Sequence, residues 1–496
     1  MSKRGSAING LTAIYWLLAS VCLPSMAVAN NNHFPLPATL KADVNFWTKV
    51  YSEVTTNEGF IHDKRYLNII YTRLSFNPGT SRKARQDSID SKKAHYQKVL
   101  LELASHQHIR QRSYEHKRIK ALWPKGTTAK TFREAARNLR FQLGQADRFK
   151  AGVIRSGRWQ DFIKREFKAM GIPLGLASLP HVESSFRPDA KSHAGAAGLW
   201  QFTRSTGRRF MRIDQVVDER LDPYLATHAA GLLLKDNFKK TGSWPLALTA
   251  YNHGARGVQR AVEATGGPDI AKIVREYKGR TFGFASRNFY NAFVAAHEID
   301  QNTADYFGDI KRESPVLLNE VTLPTYYTAQ GLIQAFSLNN NIFKSLNPAL
   351  KSPVWAKNKY VPKGYSLRLP LNKQPESVTR LMASIPASEQ STQQMPDVEY
   401  KVKSGDSLSA IARKFNVSSR ELAVTNGLRS RHKIYIGQVL RLPIKAKKTL
   451  SFYRVKKGDV LSSIARNLGV SQMEIVRLNR LRDKNQLYAG QKLRLK

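Results

Sequence analysis

The C-terminal end of the chain is written twice. Tyr400, Gly405, Asp406, Leu408, Ile411, Asn426, Gly437, Gln438 and Leu442 recur as Tyr453, Gly458, Asp459, Leu461, Ile464, Asn479, Gly490, Gln491 and Leu495. The offset is 53 residues at every pair, without a gap, as expected from duplication of one small module. The copies span 399–443 and 452–496, with a basic linker at 444–451. Each reads strand, helix, helix, strand. The strands are Tyr400–Lys403 and Val439–Leu442, then Tyr453–Lys456 and Lys492–Leu495. Capping boxes, Ser418 with Glu421 and Ser471 with Glu474, open the second helix of each copy. A fainter copy occupies 320–371. Asn347-Pro348-Ala349-Leu350 and Val361 to Pro370 echo the module's second half, while Val321 to Leu338 lacks the Gly-Asp turn. Between them, 372–398 has linker composition, most clearly in SIPASEQSTQQMPD. As a flexible coil, that stretch of Ser384 to Asp397 would hold its ends roughly 20 Å apart.

The other end reads as an export signal over residues 1–29. Lys3 and Arg4 precede an apolar run from Gly10 to Val21, and Ala27-Val28-Ala29 is a small-x-small cleavage site. The run is shorter than the ~20 apolar residues a membrane span needs. The one cysteine, Cys22, lies inside this segment. Val21 and Ala19 before it depart from a lipidation box, which favours plain cleavage after Ala29. The mature chain then has no disulfide, thiolate metal site or cysteine nucleophile. The chain carries a formal charge of +43, from 80 basic and 37 acidic residues. Such an excess suits an acidic polymer or surface, and equally serves solubility. Zinc-finger spacing, RNP-like runs and heptads are missing, so nucleic acid is not the expected partner.

Residues 30–150 read as a helical scaffold. Phe46, Trp47, Val50, Tyr51 and Val54 follow helical spacing, and Tyr66 to Leu74 repeats the pattern. Arg82 to Lys93 is a loop or a solvated helix face. Thr131 with Glu134 forms a capping box opening a helix through Phe141. Residues 151–310 read as an all-helical domain. Trp159 to Met170 is amphipathic. Asp222-Pro223 caps a helix to about Phe238, Trp244-Pro245 opens another closed near Gly254, and Asn288 to Ile299 is a last apolar helix.

The chemistry concentrates between Gly171 and Gly207. Glu183 ends an apolar stretch containing Leu174, Leu176, Leu179 and Val182, with Phe186 just beyond. Burial disfavours the charged carboxylate, so such a group can stay protonated near neutral pH and serve as an acid. Ser184, Ser185 and Gln201 offer hydrogen bonds, and Trp200 and Phe202 offer faces for a sugar ring. Ala194 to Gly198 is small enough to admit a bulky chain. On residue types alone, Glu183 could equally be a capping or ion-paired glutamate. Asp222 is most simply an N-cap, and Asp218-Glu219-Arg220 an ion pair. A carboxylate holding water opposite Glu183 would instead make a hydrolase. His181, His193 and His253 lack metal-ligand spacing, so no metal and no cofactor is expected.

Glu183-Ser184-Ser185-Phe186, Gly198-Leu199-Trp200-Gln201 and Ala250-Tyr251-Asn252-His253-Gly254 stand in order at suitable intervals. The set resembles the lytic transglycosylase domain related to goose-type lysozyme. The repeats, with Gly-Asp-x-Leu starts and Gly-Gln-x-Leu-x-Leu ends, resemble LysM peptidoglycan-binding modules. The resemblance implies a multidomain α+β chain, with a mainly α-helical lysozyme-like catalytic domain and small βααβ LysM modules. It implies peptidoglycan glycan strands as partner, with Glu183 as the single acid/base. Ser184, Ser185, Trp200, Gln201, Tyr251, Asn252 and Tyr290 would position sugars. Gly405, Asp406, Gly458 and Asp459 would border glycan grooves on the modules. Two positions depart from the pattern: Trp200 stands where Met is frequent, and Ser286-Arg287-Asn288-Phe289 before Tyr290 does not match Glu-Thr-x-x-Tyr. The implied product is a 1,6-anhydromuramoyl end. A hydrolytic muramidase and a non-catalytic wall binder are the competing readings. Export to the periplasm or envelope of a Gram-negative bacterium, peripheral contact with the outer membrane and a monomeric state complete the expectation.

Overall fold

The computed structural model describes residues 33–105, 113–371, 375–428, 433–443, 452–456, 458–468, 472–481, 483 and 486–495. The expected signal segment with Cys22, the 444–451 linker and Ser471 lie outside the described residues.

The N-terminal region opens with α1 (Lys41–Ser52), whose Val44, Phe46, Trp47, Val50 and Tyr51 are buried. It then departs from the mostly helical expectation. Strands β1 (Glu58–Asp63) and β2 (Ile70–Ser75) pair antiparallel, with Phe60 opposite Arg73. The reason is visible in the burial pattern. Leu67, Ile69 and Tyr71 face inward at alternate positions, which is the period of a strand. Arg82 to Lys93 is the solvated first half of α2 (Arg82–Ala104), which buries only its second half at Tyr96, Val99, Leu100 and Leu103. After α3 (Tyr114–Ala121) comes α4 (Ala129–Asn138). Its cap is Thr128, whose hydroxyl accepts from Thr131 N, so the helix starts before the expected Thr131 box. It ends at Asn138, because Leu139 turns to extended backbone and begins β3 (Leu139–Leu143). β3 closes a sheet of order β2-β1-β3, with Phe60 opposite Gln142.

The helical unit follows: α5 (Ala146–Ser156), α6 (Gln160–Ala169), a 3-10 turn at Leu174–Ser178, α7 (Leu179–Ser184) and α8 (Arg204–Gly207). Then come α9 (Pro223–Thr241), α10 (Trp244–His253), α11 (Ala255–Thr265), α12 (Ile270–Glu276), α13 (Phe284–Gln301) and α14 (Thr303–Phe307). Asp222 does cap α9, accepting from Tyr224 N at 2.9 Å and Leu225 N at 3.1 Å. Phe167, Leu179, Phe186, Trp200, Leu234, Leu246 and Phe293 form one core. A second cluster joins Trp47, Val50 and Tyr51 of α1 to Phe149 and Val153 of α5 and Ala296 and Ile299 of α13. The N-terminal region therefore fixes α5 against the rest. A buried polar clamp does the same from below. Asp300 accepts from Ser178 Oγ (2.8 Å), Gln160 Nε2 (2.9 Å) and Arg312 Nη2 (2.9 Å), and faces His181 Nε2 at 3.3 Å. Burial alone would raise the Asp300 pKa; His181, Arg312 and Ser178 reverse this and hold it well below the usual range.

Three βααβ units complete the chain. The first holds β4 (Leu318–Thr322), β5 (Tyr326–Tyr327), α15 (Ala329–Ala335), α16 (Asn340–Leu346), α17 (Ser352–Trp355) and β6 (Ser366–Pro370), with β4 antiparallel to β6. Here the structure overturns the linker reading of 372–398. Residues 375–391 form α18 (Pro375–Ala383) and β7 (Gln390–Ser391). β7 pairs with β5, while Val378, Met382 and Ile385 enter the unit's core. Gln394 then grips both backbone groups of Tyr360, at 2.7 and 3.0 Å. Four-residue spacing of Val378 and Met382 on one helix face outweighs the polar composition. The second unit is β8 (Val398–Lys401), α19 (Leu408–Lys414), α20 (Ser419–Thr425) and β9 (Val439–Leu442). The third is β10 (Phe452–Arg454), α21 (Leu461–Leu468), α22 (Gln472–Asn479) and β11 (Lys492–Arg494). One clasp recurs in all three. An asparagine at the end of the second helix takes both backbone groups of an arginine in the last strand: Asn347 with Arg368, Asn426 with Arg441, and Asn479 with Arg494.

The first unit is built onto the helical unit. Asp218 N donates to Ala349 O (2.8 Å), Lys351 N to Val216 O (2.9 Å), and Val216 and Val217 lie in its core. Arg368 pairs with Asp222, the α9 cap, and with Glu320 at 3.1 Å. Both Arg368 and Asp222 are almost wholly buried. Removing one member of such a pair leaves a buried charge uncompensated. Arg368→Ala is therefore expected to cost about 3–5 kcal/mol in urea denaturation; an unchanged midpoint would contradict this.

Candidate active site

Glu183 sits on the last turn of α7, and the backbone beyond it is unusual. Ser185 (φ 50°) and Phe186 (φ 56°) both lie in the left-handed region, at about 1–2 kcal/mol each for residues with a Cβ. The neighbours hold them there. The Phe186 ring is fully buried, 4.6 Å from the His181 ring centre. Phe186 N donates to Pro180 O (3.2 Å), and the Arg155 guanidinium donates twice to Ser185 O, at 2.6 and 3.1 Å. The double left-handed step turns the chain sharply and leaves Glu183 on a cavity of about 530 Å³. Ser184, Ser185 and Gln201 share that cavity, and α5 forms its opposite wall through Arg148, Ala151 and Arg155.

The other wall is the Gly198–Gln201 loop. Gly198 has φ 84°, and a Cβ there would stand 1.7 Å from Arg220 O, so only glycine fits. Gln201 is left-handed too, at φ 48°. Three side chains pin this loop. Ser184 Oγ donates to Leu199 O (2.7 Å), Tyr251 Oη to Trp200 O (2.8 Å), and Gln201 Nε2 to Gly198 O (2.9 Å) and Ala190 O (3.2 Å). Ser184, Tyr251 and Gln201 thus set the shape of the wall. Ser184 and Gln201 also line the cavity.

The Glu183 carboxyl is partly buried. Among the described residues it has no ion-pair partner or hydrogen-bond donor, and burial pushes its pKa up to about 8. Two tyrosine hydroxyls feel its charge. Burial, and then the Glu183 charge, raise the pKa of Tyr51 from α1 and of Tyr251 from α10. Glu183 is therefore a protonated acid at neutral pH, flanked by phenols that stay protonated as well. Carboxylates on the cavity wall and downstream of Glu183 are engaged, and Glu219 accepts from Arg212 N (2.6 Å). On the cavity wall, Asp147 accepts from Thr56 N (3.0 Å) and the Thr56 hydroxyl. Asp189 pairs with Arg187 (3.1 Å), Asp214 with Arg212 (2.6 Å) and Asp218 with Arg220 (2.8 Å).

Several expected roles need correction. Trp200 has no exposed surface. Its ring belongs to the core and its Nε1 donates to Thr227 Oγ1 (2.9 Å), so it offers no face to a sugar. Tyr290 is buried and spends its hydroxyl on Pro35 O (2.7 Å), tying the segment before α1 to α13. Asn252 is exposed and accepts from Ser286 Oγ (2.9 Å). In the repeats, Asp406 accepts from Tyr400 Oη (2.9 Å) and Lys403 N (2.7 Å), and Asp459 from Tyr453 Oη (2.7 Å) and Lys456 N (2.8 Å). These carboxylates lock their own turns. Conversely, sequence reasoning missed Tyr51, Arg148 and Arg155. Tyr51 and Arg148 come from the segment read as scaffold and Arg155 from the first residues of the helical domain, and only the docking of α1 and α5 brings them to the cavity. No group of three His, Cys, Asp or Glu side chains placed to hold a metal occurs among the described residues.

Residues 161–274 match the family model of the Transglycosylase SLT domain, and residues 400–443 and 453–496 that of the LysM domain. The chain thus carries one SLT domain and two LysM domains. It is similar to the membrane-bound lytic murein transglycosylase D of Escherichia coli (strain K12), with 28% identity over 374 residues, covering 69% of this chain and 77% of that protein. It is also similar to an endolysin of Bacillus phage B103, with 35% identity over 99 residues, 20% of this chain and 38% of that one. Among solved structures, an inactive mutant of the lytic transglycosylase Slt from Pseudomonas aeruginosa matches at 19% identity. That match covers 30% of this chain and 24% of that one, with a TM-score of 0.25.

A carboxyl whose pKa is higher folded than unfolded favours the folded state only at low pH. The unfolded group ionises near 4.3, so stability falls as pH rises from there towards 8. Glu183→Gln removes this penalty. In urea denaturation the variant should exceed the wild type by several kcal/mol at pH 8, with the gap closing near pH 4.5. A gap independent of pH would contradict a protonated Glu183.

Proposed function

We propose that this chain is a peptidoglycan lytic transglycosylase, cleaving between N-acetylmuramic acid and N-acetylglucosamine. One observation carries the reading. Glu183 is a solitary protonated acid, and the other carboxylate on the cavity wall is already bound to Thr56. Ordinary glycosidases need a second carboxylate, as nucleophile or to activate water. A reaction in which the substrate supplies its own nucleophile does not. Glu183 gives its proton to the glycosidic oxygen as the C1–O bond breaks. The muramoyl C6 hydroxyl attacks C1, and the Glu183 carboxylate takes the hydroxyl proton, closing a 1,6-anhydro ring and restoring the acid. The Tyr51 hydroxyl stands near enough to sense the charge on Glu183 and is suited to steady it as the proton leaves. The SLT and LysM matches and the similarity to a lytic murein transglycosylase support the same reading.

The LysM domains serve as tethers that raise the local concentration of the cleft on the wall polymer. The site of action is the cell envelope. Our fuller reading is an exported monomer, cleaved after Ala29, in the periplasm of a Gram-negative bacterium and in peripheral contact with the outer membrane. Mass spectrometry of digested sacculi tests the chemistry. Products should end in anhydromuramoyl residues, one water lighter than hydrolytic ends, and Glu183→Gln should yield neither. Hydrated ends would identify a muramidase instead. Since Glu183 acts first as an acid, kcat/KM should decline as pH rises through about 8. A decline centred near pH 4.5 would contradict the assignment.

A further inference from the structure

The cavity that holds Glu183 is lined on the remaining sides by positive charge. Arg148 and Arg155 lie on one face of α5, with Ala151 between them, and all three line the cavity. Seven residues apart, they stand about 10 Å from each other along the helix. Arg187 and Lys191 reach the cavity from the loop beyond α7. Of these four, only Arg187 has a carboxylate within ion-pair distance, that of Asp189. Arg155 spends its N–H groups on a neutral carbonyl, Ser185 O. Arg148 and Lys191 are exposed and have no carboxylate partner among the described residues. The one other acid on the wall, Asp147, faces Thr56.

An unbroken neutral glycan gives these cations nothing to bind. They stand apart from Glu183, which has no ion pair, so they do not serve to ionise it. Their place along one wall suits anions carried beside the sugar backbone.

We propose that the α5 wall, through Arg148 and Arg155 with Lys191 opposite, is a binding site for carboxylates on the substrate's side branches. It selects glycan strands that carry acidic stem peptides over peptide-free strands. The inference rests on the peptidoglycan reading above and adds a substrate preference to it. Nothing in the SLT motifs supplies this wall, because α5 precedes the matched residues 161–274. The partners are flexible surface groups, so each contact is modest and salt-sensitive.

The test uses the full chain on two substrates, sacculus-derived glycan strands with their peptides and the same strands stripped by an amidase, with the lactyl carboxylates that stripping frees then capped as amides. Anhydro ends are counted in both. The wild type should show a higher kcat/KM on the peptide-bearing strands, through a lower KM. That preference should shrink as salt is raised. In Arg148→Gln/Lys191→Gln the ratio of the two kcat/KM values should fall about fivefold, with circular dichroism confirming the native fold. Arg148→Glu/Lys191→Glu should lower it further. Equal wild-type rates on the two substrates, or a ratio untouched by the variants and by salt, would overturn the inference while leaving the enzymatic reading intact. Failure to release anhydro ends from either substrate would overturn the reading itself.

Discussion

An acid kept neutral by its surroundings is the constraint from which the rest of this structure follows. A glutamate with an arginine beside it would ionise and lose its proton well below neutral pH. Arg155 lines the same cavity, yet its guanidinium donates to Ser185 O and makes no ion pair with the Glu183 carboxyl. The left-handed pair Ser185 and Phe186 makes that carbonyl available. The strained turn, the diverted arginine and the protonated acid form one device. Backbone strain at such a point is stored where the surroundings over-determine it, and here Phe186 in the core and Arg155 on the carbonyl do so.

The remainder of the fold supports this device from several directions. Asp300 draws together Ser178, Gln160 and Arg312 and faces His181, two residues before the acid. The N-terminal region presses α5 into place through Trp47, Val50 and Tyr51, so the cleft is completed by residues outside the matched domain. On the far side, Arg368 of the first βααβ unit holds Asp222, which caps α9. A charge pair of this kind adds little net stability but makes misplacement costly. The same unit is closed by the chain that follows it. As a result, the LysM domains continue from an anchored segment at Gln394 where a slack tether was expected.

Much of this was legible in the sequence where local chemistry decides the outcome. Asp222-Pro223 announced a helix start because a carboxylate followed by proline satisfies free N–H groups. The repeat announced its βααβ order by its turn residues, and Glu183 stood out because its neighbours are apolar. What failed to show was set by distance in the chain. β1 and β3 pair although β2 and three helices lie between them in the chain, and no local pattern in Tyr66 to Leu74 named the partner. Trp200 and Tyr290 could have faced a cleft or a core, and only packing chose the core. The polar stretch after Pro370 hid Val378, Met382 and Ile385, three apolar residues that suffice to dock a short helix.

The central claim is that the Glu183 carboxyl holds its proton at neutral pH in the folded protein. Carbon-13 NMR of the glutamate side-chain carboxyls, with Glu183→Gln assigning the resonance, measures this directly. The account predicts a titration centred near pH 8 for Glu183. A midpoint near 4.5, the ordinary glutamate value, would contradict it.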